Sequence, residues 1–166
     1  YESIDIRKIP EMEAQGIFYI GDIPADYDLP VAVRSMVERM QQHRVDVNPG
    51  PIHQMLAQLQ YPLYFLDFEA VATAVPLFAG SSPWQRYAFQ YSLHVLSDDG
   101  VLNHVEFLHD SRSNPGRAMA CSLLEHIGET GSVIVYSKTM EKSVLNDLAI
   151  QFPHWGDGFR SMVSRL

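Results

Sequence analysis

Two carboxylates, Asp67 and Glu69, stand one residue apart inside the most apolar run of the chain, Leu63-Tyr64-Phe65-Leu66-Asp67-Phe68-Glu69. Residues two apart on a strand share a face and lie about 7 Å apart along it, so both acids project to one side and can converge on one ion cluster. A pair of Mg²⁺ or Mn²⁺ ions about 4 Å apart suits that spacing, and such a pair supports phosphodiester hydrolysis. Desolvated carboxylates are costly unless paired, protonated or metal-bound. No Lys or Arg lies between Arg44 and Arg86 to neutralise these two locally. The competing explanation is a strand end whose acids meet water, or a distant Arg partner.

A third acid, Glu141, falls in the first turn of an expected helix, at the edge of an apolar stripe with Leu145 and Leu148. That helix follows an apolar run expected to be a buried strand, so it can deliver Glu141 to the Asp67/Glu69 pair. An acid in a first turn is also favoured by the helix dipole whatever its function. Gln90 and His94 lie on the next expected strand and are candidate cleft residues with Lys138 and Lys142. A zinc site built from His94, His104, His109 and His126 is not expected, because on a strand His104 and His109 point to opposite faces. Ser81, Ser82 and Ser137 lack the Gly-x-Ser-x-Gly setting of a hydrolase nucleophile. Arg112, Arg117, Lys138, Lys142, Arg160 and Arg165 can hold a phosphate backbone if they share the Asp67 side of the sheet. Trp84, Tyr87 and Tyr91 can stack on unpaired bases or cap a core.

The elements that must position these residues follow from pattern. Residues 1 to 60 carry nine acidic and five basic side chains in short polar segments broken by prolines and glycines, a helical lead-in. Within it, Val31, Met36, Val37 and Met40 predict a helix over 31–43, with the Met stripe in a core, and Ile52, Met55, Leu56 and Leu59 another over 51–59. Residues 61–166 read as one α/β domain. The run 63–69 is a central strand buried on both faces. Strands 87–96 and 101–108 form a hairpin around Ser97-Asp98-Asp99-Gly100. Asn114-Pro115 opens a helix stopped by Gly128, 132–136 is a buried strand, and helices run over 139–150 and 155–166. Strand, strand, strand, helix, strand, helix is the order at the start of a ribonuclease-H-like mixed sheet flanked by helices, and it describes other α/β sandwiches as well.

Composition limits the function classes. A formal charge of −8 over 166 residues argues against coating nucleic acid by bulk charge and leaves room for a local basic track. With Cys121 as the one cysteine, an internal disulfide and a cysteine-based zinc cluster are excluded, which suits a reducing, cytoplasmic setting. No apolar run reaches the roughly 20 residues that span a bilayer, and the start Tyr1-Glu2-Ser3-Ile4-Asp5 is no signal peptide. A first residue that is not Met, and a last helix with no Gly or Pro terminator, predict a fragment of a longer protein.

Three stretches carry a resemblance: Tyr61 to Glu69, Phe89-Gln90-Tyr91-Ser92-Leu93-His94, and Glu141-Lys142-Ser143-Val144-Leu145. Together they resemble an uncharacterised bacterial domain family of unknown function that often follows a RecB-like nuclease region. That family is in turn similar to the DEDD 3′ to 5′ exonucleases of the ribonuclease-H-like superfamily. The resemblance implies a first motif at Asp67 and Glu69 and a second at Glu141. Here Glu replaces the usual Asp, and Tyr136 and Ser137 replace the usual His and Asn. A third motif, with the final Asp and a general-base His or Tyr, is then expected beyond Leu166. The implied activity is two-metal hydrolysis of DNA or RNA. Asp67 would bridge both Mg²⁺ or Mn²⁺ ions, Glu69 would bind the ion that activates water, and Glu141 would hold the second. The implied partners are a single strand and a RecB-like nuclease region in the same or a neighbouring chain. The rival expectation is a catalytically incomplete nucleic-acid-binding or scaffolding module beside that nuclease.

Overall fold

The computed structural model describes residues 4–166; the first three residues of the polar start lie outside the described residues. By its contacts the chain divides into two compact units, Tyr1–Gln54 and Met55–Leu166.

In the first unit, helices α1 (Ile9–Ala14) and α2 (Val31–Gln41) and two short 3₁₀ turns enclose a small core. That core holds Met12, Ile17, Ile23, Leu29, Val33 and Val37. The stripe of α2 differs from the expected one, since Val31 and Met40 are exposed while Val33 and Val37, four apart, turn inward. Polar side chains tie the connecting loops to α2: Arg34 donates to the carbonyls of Ala25 and Tyr27, and Gln41 to those of Ile20 and Ile23 at 3.0 and 2.9 Å. Helix α3 (Pro49–Leu56) carries the division between the units and has no buried residue.

The second unit is a mixed sheet with helices. Strands β1 (Leu63–Ala72), β2 (Arg86–Leu96) and β3 (Leu102–Leu108) are followed by α4 (Gly116–His126), β4 (Val133–Ile134), α5 (Lys138–Gln151) and α6 (Gly156–Ser164). The order across the sheet is β3-β2-β1-β4, with β1 antiparallel to β2 and parallel to β4. Strand β1 is therefore interior, as its apolar run requires. The β2–β3 hairpin closes at the expected turn: Gly100 supplies a φ of +83°, which a Cβ would disfavour, and Asp99 Oδ1 accepts from Val101 N at 3.1 Å.

One face of the sheet packs on the helices. Leu66 and Phe68 of β1 and Tyr91 and Leu93 of β2 meet Met119 and Leu123 of α4, Leu145 of α5 and Phe159 and Met162 of α6. Each fully buried aliphatic or aromatic side chain of this set contributes about 2 kcal/mol by leaving water. The expectation that β1 is buried on both faces is corrected here. Its burial alternates, because α4, α5 and α6 all feed the core containing Leu66 and Phe68, and Phe65, Asp67 and Glu69 point the other way, exposed. Strand β4 is also shorter than expected, since only Val133 and Ile134 pair and Tyr136 is fully exposed.

The approach to β4 is held from the end of α6. The Arg165 guanidinium donates to the carbonyls of Gly128, Thr130 and Gly131 at 2.7, 2.6 and 3.0 Å and lies over the Tyr64 ring. Gly131 has a φ of +91°, and a Cβ there would fall on the Pro62 backbone, so only glycine lets this segment pass β1 so closely. No helix among the described residues is long and apolar enough to cross a membrane.

Candidate metal and nucleic-acid site

Because side chains alternate along a strand, pairing register decides what accompanies the two acids. Three rows cross the open face. In the first, Phe65 faces His94, which faces His104; in the second, Asp67 faces Ser92, which faces Glu106; in the third, Glu69 faces Gln90, which faces Leu108. Asp67 and Glu69 thus do share one face, with Gln90 and His94 beside them. A register shift follows Glu69, ending this regular arrangement at the second acid. Neither carboxylate has an ion-pair partner among the described residues.

The imidazoles of His94 and His104 stack at 4.3 Å between centroids and 21° between planes, and Ser92 Oγ shares a hydrogen bond of 3.1 Å with His104 Nε2. The expectations weighed these histidines as a zinc set and did not include their stacking or Glu106. The signal was available, since His94 and His104 stand five residues to either side of Asp99 in the hairpin turn, which makes them cross-strand partners.

Glu141 is 1% exposed, and its Oε2 is buried with no hydrogen-bond partner. It lies on the same inward stripe of α5 as Val144, Leu145 and Leu148. Asp67 and Glu69 sit on the solvent side of β1 and Glu141 belongs to the buried side of α5. Among the described residues no three His, Cys, Asp or Glu side chains are gathered as a metal-holding group. The structure therefore brings two of the three expected acids together and does not gather the third with them. By donor type the two carboxylates on the open face suit a hard divalent cation, whereas Glu141, whose buried Oε2 lacks a partner among the described residues, stands apart from them.

Several expected phosphate ligands are engaged elsewhere. Arg165 holds the β4 approach, Lys138 Nζ donates to the Leu166 carbonyl at 2.7 Å, Arg160 pairs with Asp157 at 2.6 Å, and Arg117 lies over the Trp155 ring. Lys142 is exposed and makes no ion pair among the described residues. Of the aromatic candidates, Tyr87 and Tyr91 are core residues, whereas Trp84 is 70% exposed. Tyr91 bonds Ser122 Oγ through its hydroxyl at 2.7 Å, and burial pushes its phenol pKa up, partly opposed by that bond.

Neither the curated proteins nor the solved structures include a match to the chain. A family model described as "Domain of unknown function (DUF2779)" matches residues 64–166, from the start of β1 to the end of the α6 region. Since that match spans more than half of the chain, the protein belongs to the DUF2779 family.

Proposed function

We propose that the chain is the nuclease-fold part of a cytoplasmic, metal-dependent enzyme that hydrolyses phosphodiester bonds in single-stranded DNA or RNA. The observation that carries this reading is the pairing of Asp67 and Glu69, without ion-pair partners, on the open face of an interior strand. Two exposed carboxylates about 7 Å apart on one face add no packing and repel only weakly through water, so together they present a paired negative charge that a divalent cation can bridge. Asp67 and Glu69 would hold Mg²⁺ or Mn²⁺; Glu141, the third acid that the motif resemblance implies, is buried on the helix side of the sheet and stands apart from this pair. Two such ions, when bound, supply Lewis-acid charge to the reacting phosphodiester and its leaving oxygen. The protein's own part is to orient the strand. Gln90, directly across from Glu69, offers an amide to a substrate oxygen, and His94 and Phe65 lie one row beyond Asp67 on the other side. The ribonuclease-H-like arrangement and the kinship to DEDD exonucleases enter through the resemblance of the motifs, as does a neighbouring RecB-like nuclease.

The test is digestion of a labelled single strand with Mn²⁺ by the chain, by a version extended beyond Leu166, and by the Asp67→Ala form of each. Activity in the extended protein that disappears with Asp67→Ala is the expected result. An extended protein that binds the strand and cuts nothing would favour the binding-module alternative.

A further inference from the structure

Away from the open sheet face, two adjoining open hollows run along the exposed side of α5 in the second unit, the first of them bounded also by the loop leading into β2. One hollow, about 540 Å³, is lined by Trp84, Arg86 and Gln151, and the next, about 530 Å³, by Lys138, Lys142 and Asn146; Ser143 and Asp147 line both. Each is of a size that takes a nucleotide-scale ligand.

Three features of the groove serve no evident purpose in the fold. Trp84 has a φ of +61°, a region that bulky side chains rarely occupy, and its backbone is kept there by a hydrogen bond from Trp84 N to the Thr73 carbonyl at 2.8 Å. The indole so positioned is 70% exposed and contributes little to the core. Arg86 makes no ion pair among the described residues, although the chain carries a formal charge of −8 and acids abound. Lys142 lies near the N-terminal end of α5, where the helix dipole disfavours a cation, and it too makes no ion pair among the described residues.

We infer that this groove binds a single-stranded nucleic acid, with one unpaired base stacked on Trp84 and adjoining phosphates held by Arg86 and Lys142. The inference rests on the proposed function for its class of ligand and adds the path of the strand. An exposed indole beside two cations that make no ion pair among the described residues, Arg86 with Asp147 as its electrostatic neighbour, complements a polyanion that presents free base faces. A duplex hides those faces, and a neutral peptide leaves the cations without counter-charge. Asp147 sits between the two cations on the shared wall and opposes an anion, so the phosphates belong on either side of it. Burial raises the pKa of its carboxyl and Arg86 lowers it.

The experiment is fluorescence anisotropy with labelled oligothymidylate and oligouridylate, without divalent metal so that nothing is cut, on the full chain and its variants. Both strands should bind, the stronger binder distinguishing DNA from RNA preference. Trp84→Ala should weaken binding by about fivefold or more, with Trp84→Phe restoring most of it. Arg86→Gln and Lys142→Gln should each lower the salt dependence by about one phosphate contact, and Asp147→Asn should tighten binding. An unchanged thermal transition in Trp84→Ala excludes misfolding as the cause. Absence of binding, or equal binding by Trp84→Ala and the parent, overturns the inference. Failure of the nuclease reading appears separately, as strand binding that depends on Trp84 with no digestion in the Mn²⁺ assay.

Discussion

Replacing Glu141 by Met should make the protein more stable. The side chain is 1% exposed, its Oε2 has no hydrogen-bond partner, and its helical neighbours Val144 and Leu145 lie in the main core. A buried polar atom left unsatisfied costs about 1–3 kcal/mol. Met is similarly long, unbranched and apolar, so it occupies the same slot without that cost. For a domain of this size about 1–3 kcal/mol corresponds to a rise of roughly 4–12 °C in melting temperature. The assay is calorimetric or circular-dichroism melting of parent and variant in metal-free buffer. A rise in melting temperature marks a buried carboxyl held at the expense of stability. A fall of several degrees would refute the reasoning, since it would mean that the carboxyl has a stabilising partner.

Other perturbations probe the frame. Gly131→Ala places a Cβ on the Pro62 backbone at a φ of +91°, so a loss of about 3 kcal/mol or more is expected in chemical denaturation. Arg165→Met removes three hydrogen bonds to carbonyls and the contact with Tyr64, and about 2 kcal/mol should be lost, mostly from the part-buried bond to Gly131. Asp147 has a folded-state pKa raised above its ordinary 3.8, chiefly by burial, so the native state keeps its proton to higher pH than the unfolded chain does. Stability from this group is full below 3.8 and is lost as pH rises through the raised value. Asp147→Asn should therefore be more stable than the parent at neutral pH, with the difference disappearing in acid, as melting curves against pH would show.

Much of the second unit was legible because its signals are local. Short aromatic and aliphatic runs mark the strands, Asp98-Asp99-Gly100 marks the hairpin turn, and Asn114-Pro115 marks the start of α4, whose first backbone N–H, that of Gly116, bonds to Asn114 Oδ1 at 2.9 Å. The same information fixed that Asp67 and Glu69 share a face. What a local pattern could not show was which face the helices cover. The run 63–69 is apolar enough to suit burial on both sides, yet Phe65 is 39% exposed because the helices pack on the Leu66 side. The fate of the cations was equally illegible, since Arg165 and Lys138 are drawn to backbone carbonyls 28 or more residues away. Glu141 was recognisable as an edge-of-stripe acid, and its burial without a partner is a property of packing that spacing alone does not encode.

The central claim, that Asp67 and Glu69 hold a divalent cation on the open face of β1, is tested most directly by Mn²⁺ titration followed by amide NMR. The expected result is selective paramagnetic broadening around Asp67, Glu69 and the facing Gln90 and Ser92, abolished in the Asp67→Asn/Glu69→Gln double variant. Broadening that is absent, centred elsewhere, or unchanged in the double variant would contradict it.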